Sequence, residues 1–459
     1  MEKQLSYKRK SVYEQIGPEE LDRAFAYAEE YKTFLDASKT EREAVKQAVR
    51  LARENGFVPF HFGDKLQAGG RYYYDNRGKN FFAFVVGTEP MECGVRITAA
   101  HIDSPRLDLK PNPLYEESHL AYLKTHYYGG IRKYQWPTVP LALHGTVVLR
   151  DGTSVEVCIG EDEKDPLFYI TDLLPHLGRA DDAKPLGTAI PAEKLNLLVG
   201  SIPVADEDAD DKCKENVLRI LNEKYGMTEE DFLSAELCAV PAEKARDVGL
   251  DRSMVGGYGH DDRVCAYPAL RALFECAENS RHTLMCILAD KEEIGSDGVT
   301  GMQCDLLVDL LDELARYGNL SGAALRERSC CISSDVAAVL DPNFPDAFEK
   351  RNATLLAYGV TMNKYTGAGG KSGTNDASAE YVGWVRRAMA SENVIWQLAE
   401  LGKTDVGGGG TVAKFIARHN ISTVDMGVGV LSMHSPYELI AKVDLWEAHK
   451  AFCAFNRFE

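Results

Sequence analysis

Five short segments of this 459-residue chain carry side chains that could bind metal ions or move protons. Each segment follows an apolar run or opens a helical pattern, and α/β folds build their sites at such places. The segments are residues 99–105 with His101 and Asp103, 259–263 with Asp261, 290–296 with Glu292 and Glu293, 333–335 with Asp335, and 432–436 with His434. Imidazole and carboxylate groups are metal ligands, so these segments are candidates for a metal site.

The first segment offers a histidine with a carboxylate two residues later. In an extended chain, side chains two positions apart point to the same side, so Asp103 could accept the ring N–H of His101. That contact would fix the tautomer and leave the other ring nitrogen for zinc. Taken alone, a histidine at a strand end is more often structural.

The second and third segments also allow two interpretations each. Asp261 opens a predicted helix, where it could be an N-cap or could bridge two metal ions through its two oxygens. Glu292 and Glu293 are adjacent, and like charges this close raise a carboxyl pKa unless cations lie nearby. One glutamate could bind metal while the other acts as a general base, or both could be solvated.

The order of these ligands is informative where each segment alone is not. His-x-Asp, Asp-Asp, Glu-Glu, Asp and His is the ligand order of co-catalytic two-zinc aminopeptidases, and the chain resembles the aspartyl-aminopeptidase family, its bacterial branch in particular. The matching pieces are AHIDSPRLDLKPNP from Ala100, YGG with a downstream Trp136, ELC from Glu236, GHDDRVCA from Gly259, DKEEIGSDG from Asp290, SSDVAA from Ser333 and SMHSPYEL from Ser432. The resemblance spans essentially the whole chain.

The resemblance implies two zinc ions per subunit, replaceable by Mn²⁺ or Co²⁺, and a role for each matching side chain. The implied ligands are His101 and Asp335 for one ion, Glu293 and His434 for the other, and Asp261 as the bridge, with a cis Asp261–Asp262 peptide bond. Glu292 would be the general base, and Asp103 would orient His101. His176 would reach into the active site of a neighbouring subunit.

The implied activity is that of a metallo-aminopeptidase, which removes the N-terminal residue of short peptides with a free N-terminus. The family forms a hollow dodecamer built from dimers, so the resemblance also implies a homo-oligomer. Another dinuclear zinc amide hydrolase, of deacetylase or carboxypeptidase type, is an alternative that would cleave blocked substrates. A non-enzymatic assembly protein is a further alternative, although every expected site position is occupied. The preferred N-terminal residue could be acidic, basic or apolar.

Strand-like and helical patterns alternate in both outer parts of the chain, which predicts an α/β fold with a covered sheet. The strand-like runs are residues 81–86, 95–100, 283–289, 331–333, 355–361 and 423–430, and the helical patterns include 21–35, 261–278, 302–317 and 376–389. A capping box from Ser38 to Glu41 predicts a further helix that ends at Asn55.

Helical periodicity weakens from about residue 107 to 240, where short β-like runs replace it. We therefore predict a catalytic domain of residues 1–106 and 241–459, with a β-rich insert at 107–240. The resemblance makes the first a zinc-exopeptidase-like domain with a central mixed sheet flanked by helices, and the insert a dimerisation domain.

Composition excludes several classes of function. The net charge of −18 argues against nucleic-acid or anionic membrane partners, which need basic patches. No apolar run approaches the ~20 residues of a membrane span, and the polar residues 1–15 predict no signal peptide. The eleven cysteines form no C-x-x-C pair, which argues against a cysteine-built metal site and for free thiols in a reducing, cytoplasmic setting. The acidic run at residues 206–211 is most simply a solvated loop.

Overall fold

The computed structural model describes residues 5–205 and 210–459, so most of the acidic run lies outside the described residues. The chain forms two compact units. The first comprises Met1–Asp103, Ala245–Met433 and Glu438–Glu459, and we call it the catalytic unit because it contains most of the predicted catalytic domain. The second, here the insert unit, comprises Ser104–Lys244 and His434–Tyr437.

The described residues contain eleven α-helices and twenty strands. The helices are α1 Pro18–Asp36, α2 Glu41–Glu54, α3 Pro175–Asp182, α4 Leu186–Ala189, α5 Lys212–Tyr225, α6 His260–Cys276, α7 Leu306–Tyr317, α8 Gly322–Arg328, α9 Ala379–Ser391, α10 Ala413–Ala417 and α11 Lys442–Arg457. The strands are β1 Val58–Pro59, β2 Arg71–Asn76, β3 Asn80–Val85, β4 Val95–His101, β5 Arg106–Glu117, β6 Leu120–Tyr128, β7 Leu141–Val148, β8 Ser154–Ile159, β9 Leu197–Gly200, β10 Ala235–Pro241, β11 Arg246–Val248, β12 Met254–Gly257, β13 Thr283–Ala289, β14 Cys330–Ser333, β15 Ala337–Ala338, β16 Val360–Asn363, β17 Trp396–Leu398, β18 Ser422–Gly427, β19 Gly429–Leu431 and β20 Glu438–Ala441.

A nine-stranded mixed sheet forms the centre of the catalytic unit, in the order β1-β2-β3-β13-β4-β14-β18-β16-β17. Every residue of β4 and β13 is buried, as expected for apolar strands covered on both faces. Helices α1, α2, α6, α9 and α11 contribute to the hydrophobic core on one face, and α7, α8 and α10 to the core on the other. The predicted α/β fold with a central mixed sheet flanked by helices is therefore confirmed.

The middle of this sheet is parallel, and that arrangement sets the position of the site. Strand β4 runs parallel to both β13 and β14, with Ala289 opposite His101 and Ser333 opposite Ala99. The carboxyl ends of the three strands therefore meet at one edge of the sheet. A separate five-stranded sheet, β11-β12-β20-β19-β15, completes the catalytic unit.

Three local predictions are wrong in detail. The strand predicted at 355–361 is reduced to β16, because the N–H groups of Ala357 and Gly359 donate to the buried Asp444 carboxylate, each at 2.7 Å, instead of to a neighbouring strand. The run at 423–430 divides into β18 and β19, which lie in different sheets. Helix α2 is capped by the Thr40–Glu43 pair and not by Ser38–Glu41, because it begins at Glu41.

The insert unit is built on a six-stranded antiparallel sheet in the order β8-β7-β10-β5-β6-β9. Its hydrophobic core contains the fully buried Trp136 and residues from all six strands. The β-rich character predicted for this part of the chain is confirmed.

None of the eleven cysteines forms a disulfide, and most of them are buried, as the sequence predicts. Within residues 5–205 and 210–459, we find no helix that has both the length and the apolar character to cross a membrane.

Candidate metal centre

The parallel strand ends bring four predicted site segments together. His101 is the last residue of β4, and Asp335 follows β14 by two residues. Glu292 and Glu293 lie in a 3₁₀ turn, Glu292–Ile294, just after β13. Asp261 lies at the start of α6, next to these strand ends.

Side-chain ligand atoms converge at this edge. One atom each from His101, Asp261 and Glu293 lie within 4.8 Å of one another, and so do atoms from His101, Glu292 and Asp335. A third group, also within 4.8 Å, consists of Asp261, Asp262 and Asp335. The Asp261–Asp262 peptide bond is cis, as the resemblance implies.

His101 presents one ring nitrogen to the carboxylates and anchors the other. Its Nε2 lies 3.1 Å from Oδ1 of Asp261 and 4.0 Å from Oδ1 of Asp335. Its Nδ1 lies 3.0 Å from the Asp103 carbonyl oxygen and 3.3 Å from Oδ1 of the same residue. A proton on Nδ1 satisfies these acceptors and leaves Nε2 with a lone pair for a metal.

Asp103 also holds the loop that carries the two glutamates. The fully buried Asp103 carboxylate accepts the backbone N–H of Glu292 at 3.1 Å on Oδ1 and that of Glu293 at 3.2 Å on Oδ2. One carboxylate therefore positions His101, Glu292 and Glu293 together. The predicted contact to the His101 ring is present, and the contacts to the loop add to it.

The electrostatics of this group call for a cation. Burial raises the pKa of Asp335 well above its usual range, and the charge of Glu292 raises it further. Burial likewise raises the pKa of Asp262. Burial lowers the pKa of His101, but hydrogen bonding to Asp103 and other carboxylates outweighs it and raises that pKa well above its usual value. A divalent ion would supply the missing positive charge, and the imidazole and carboxylate set fits zinc.

A protein-family model agrees with this chemistry. The model described as "Aminopeptidase I zinc metalloprotease (M18)" matches residues 34–456. The chain belongs to this family of aminopeptidases. It is accordingly a zinc metalloprotease, an enzyme that hydrolyses peptide bonds.

Relatives of this M18 aminopeptidase match over its whole length. A probable M18 family aminopeptidase 1 from Clostridium acetobutylicum is 47% identical, over 97% of this chain and 97% of the relative. The crystal structure of an M18 aminopeptidase from Thermotoga maritima has a TM-score of 0.93 at 44% identity, covering 98% of this chain and 100% of that one. The S. cerevisiae mApe1 dodecamer, at 20% identity and a TM-score of 0.75, covers 94% of this chain and 96% of that chain, and it shares the fold.

Two predicted site residues of the M18 aminopeptidase belong to the insert unit. His434 is half-buried, and its Nδ1 lies 2.8 Å from the Gly130 carbonyl oxygen, so a proton there leaves Nε2 available as a ligand atom. His176 is exposed in α3. The roles of both histidines remain predictions.

Two further carboxylates support the centre, and no role was predicted for either of them. Asp262 accepts the backbone N–H of His101 at 3.2 Å on Oδ2, and the buried Glu438 accepts the backbone N–H of Asp261 at 3.0 Å. Both lie inside motifs that carry the resemblance, GHDDRVCA and SMHSPYEL. That placement was the available signal, but their partners are distant in sequence.

Gly427 allows close packing of the Asp335 backbone, and its replacement is expected to damage the centre. A Cβ atom at Gly427 would lie 2.0 Å from the Asp335 carbonyl oxygen. We expect Gly427→Ala to lower the unfolding free energy by about 1–3 kcal/mol and to weaken zinc binding, measured by denaturation and metal titration. Gly383→Ala, in α9 with open space at its Cβ, is the control and should be neutral or stabilising by up to about 1 kcal/mol. Equal effects of both substitutions would contradict the prediction.

Proposed function

We propose that this aminopeptidase removes the N-terminal residue of short peptides, using two zinc ions and Glu292 as general base. The observation that carries the proposal is the convergence of His101, Asp261, Glu293 and Asp335 at one sheet edge, with the Glu292 carboxylate beside them. Strands of the buried sheet or helix α6 hold these residues in place. His101 ends β4, and Asp261 lies at the start of α6. The two glutamates follow β13, and Asp335 follows β14.

The proposed ligand set divides between the two ions. His101 and Asp335 hold one zinc, Glu293 and His434 hold the other, and Asp261 bridges them. Hydrogen bonds hold the backbone of three of these ligands, since Asp262, Asp103 and Glu438 accept the N–H groups of His101, Glu293 and Asp261, respectively. When bound, the zinc ions polarise the scissile carbonyl, lower the pKa of the attacking water and offer a site for the free α-amine of the substrate.

Glu292 is not among the proposed ligands, and we assign its carboxylate to proton transfer. It takes a proton from the attacking water and delivers it to the leaving amine nitrogen as the peptide bond breaks. Asp103 keeps this carboxylate in reach because it binds the Glu292 backbone N–H. The requirement for a free α-amine explains exopeptidase action, since the interior of a peptide has none.

The proposal is tested with aminoacyl-p-nitroanilides of Asp, Glu, Lys and Leu, together with N-acetyl-Leu-p-nitroanilide. We expect hydrolysis of one or more free-amine substrates, lost on chelation and restored by zinc, manganese or cobalt, and no hydrolysis of the acetylated substrate. The rates also identify the preferred N-terminal residue. Cleavage of the acetylated substrate would instead indicate the deacetylase or carboxypeptidase type, and inactivity of the metal-loaded protein would reject the enzymatic proposal.

The proposal extends to assembly and location. The protein forms a cytoplasmic dodecamer built from dimers through the insert unit, and His176 reaches the active site of a neighbouring subunit. The support is the apolar character of the segment that contains His176. Five leucines between residues 167 and 186 of the insert unit are exposed, and we call them the leucine patch: Leu167, Leu173, Leu174, Leu177 and Leu186. Apolar side chains concentrated in this way mark surfaces that bind protein.

Leu177→Asp is therefore expected to weaken self-association. Leu177 is 67% exposed, and burying a carboxylate against the leucine patch of a partner subunit would cost the dimer its stability. We expect the dissociation constant to rise at least about tenfold, measured by light scattering across a dilution series. Leu250→Asp, at an exposed leucine of the catalytic unit, is the control. A monomeric Leu177→Asp variant with full activity would remove His176 from its proposed role.

A further inference from the structure

A second group of metal-ligand side chains lies between helices α6 and α11. Ligand atoms of Glu275, His449 and Cys453 lie within 4.8 Å of one another. His449 and Cys453 are four positions apart on α11 and so share one helix face, while Glu275 lies near the end of α6. Asp261 stands at the other end of α6, fourteen residues away, which places this group about 20 Å from the first centre.

The three ligand atoms lie close enough together to share one metal ion. His449 Nε2 lies 2.9 Å from Oε2 of Glu275 and 3.7 Å from Sγ of Cys453. Tetrahedral zinc, with its usual bond lengths, separates nitrogen from oxygen by about 3.4 Å and nitrogen from sulfur by about 3.6 Å. A catalytic triad would place the carboxylate and the thiol on opposite ring nitrogens, whereas here both face Nε2.

Neighbouring side chains fix the orientation of the His449 ring and of the Glu275 carboxylate. The Tyr27 hydroxyl lies 3.3 Å from Nδ1 of His449 and can accept a hydrogen bond from an Nδ1–H once a metal ion replaces the proton that Nε2 shares with Glu275. Packing against Tyr27 and Trp446, with ring centroids 4.9 and 5.4 Å away, fixes the ring plane. Arg457 binds Oε1 of Glu275 at 2.7 Å, so Oε2 remains directed at His449.

Access to the group and the charge of its carboxylate are also suitable for a cation. The group lines a cavity of about 570 Å³, while His449 and Cys453 are only 6% and 4% exposed. The hydrogen bond with His449 lowers the pKa of Glu275 to about 2, against the effect of burial, and Arg457 adds to the lowering. Lys450, which also lines the cavity, is paired with Glu20 at 2.7 Å and with Glu447 at 3.1 Å. A small cation can therefore enter and meet an ionised carboxylate.

The geometry points to a second zinc-binding site, formed by Glu275, His449 and Cys453, that is separate from the catalytic centre. Thiolate with imidazole and carboxylate selects a divalent d-block cation, zinc or Co²⁺, over Mg²⁺ or Ca²⁺. The ion joins α6 to α11 through side chains and leaves a fourth position open to water from the cavity. The absence of a C-x-x-C pair argues against a site built from several cysteines, but it does not bear on this mixed site with a single cysteine.

Cobalt substitution tests the inference, because none of the proposed catalytic ligands is a cysteine. Metal-free, reduced protein is titrated with Co²⁺, and the thiolate-to-cobalt charge-transfer band in the near ultraviolet is followed. We expect the band in the wild type and in Cys93→Ser, which lacks an exposed thiol, and its loss in Cys453→Ser. The Cys453→Ser variant should also hold one zinc ion fewer per chain than the wild type.

A second variant tests the same site if Cys453→Ser folds poorly. Glu275 is half-exposed, so Glu275→Gln preserves packing and should shift the band titration to at least about tenfold higher Co²⁺. Absence of the band in the wild type, or a band unchanged in Cys453→Ser or in Glu275→Gln, would overturn the proposed site. None of these outcomes depends on whether the catalytic centre hydrolyses peptides.

Discussion

Glu292→Gln is expected to lower kcat by about 10²- to 10⁴-fold while the zinc content stays that of the wild type. The amide keeps the size of the side chain and the backbone hydrogen bond to Asp103, so the loop after β13 should not move. It cannot take a proton from water, however, and the proposed transfer to the leaving amine is lost. Steady-state hydrolysis of the preferred p-nitroanilide and metal analysis of the same sample give both numbers.

Glu293→Gln is the matched control for this prediction. Its backbone N–H is held by the other oxygen of Asp103, at 3.2 Å, so both glutamates have the same anchor. As a proposed ligand, Glu293 should affect zinc affinity first, and added zinc should restore part of the activity. If Glu292→Gln also lost zinc, or kept near-normal kcat, Glu292 would not be the general base.

The elements that position the centre were predictable because their patterns are local. Strand β13 is apolar after Thr283, and β4 is apolar up to His101 except at Arg96 and Thr98. Each strand leads into a polar ligand segment, which is typical of a covered parallel strand beside a site. Strand β16 was not predictable to the same degree. The residues before it are as apolar as a strand, but their N–H groups bind Asp444, which lies 85 and 87 positions later in the chain.

The candidate site also has a part that the sequence predicts and a part that depends on contacts between distant residues. His101, Asp261, Glu292 and Asp335 were identified from motif order, which a single sequence contains. The contacts of the Asp103 carboxylate with the N–H groups of Glu292 and Glu293 join residues about 190 positions apart, and they exist because β4 pairs with β13 in one register. The group of Glu275, His449 and Cys453 could not be predicted from the sequence for a similar reason. Its histidine and cysteine lie on α11, while its carboxylate comes from α6.

Because one carboxylate holds three parts of the centre, Asp103→Asn is expected to affect zinc affinity and turnover together. An asparagine side chain has one oxygen, so its amide group would face the N–H of either Glu292 or Glu293, donor against donor. The substitution also removes the negative charge of the Asp103 carboxylate, whose Oδ1 lies 3.3 Å from Nδ1 of His101. We expect zinc affinity to fall about 10- to 100-fold and kcat/KM to stay reduced at saturating zinc.

Asp290→Asn separates this effect from the mere loss of a buried charge near the site. Asp290 is 1% exposed, accepts a hydrogen bond from Thr300, and has a pKa raised by burial and by the charge of Glu41. Asp290→Asn removes a buried carboxylate charge but none of the contacts that Asp103 makes with His101, Glu292 and Glu293, so zinc affinity should stay near that of the wild type. Equal losses in the two variants would mean that negative charge alone retains the metal. A loss confined to Asp103→Asn would assign the effect to the hydrogen bonds that fix His101, Glu292 and Glu293 in place.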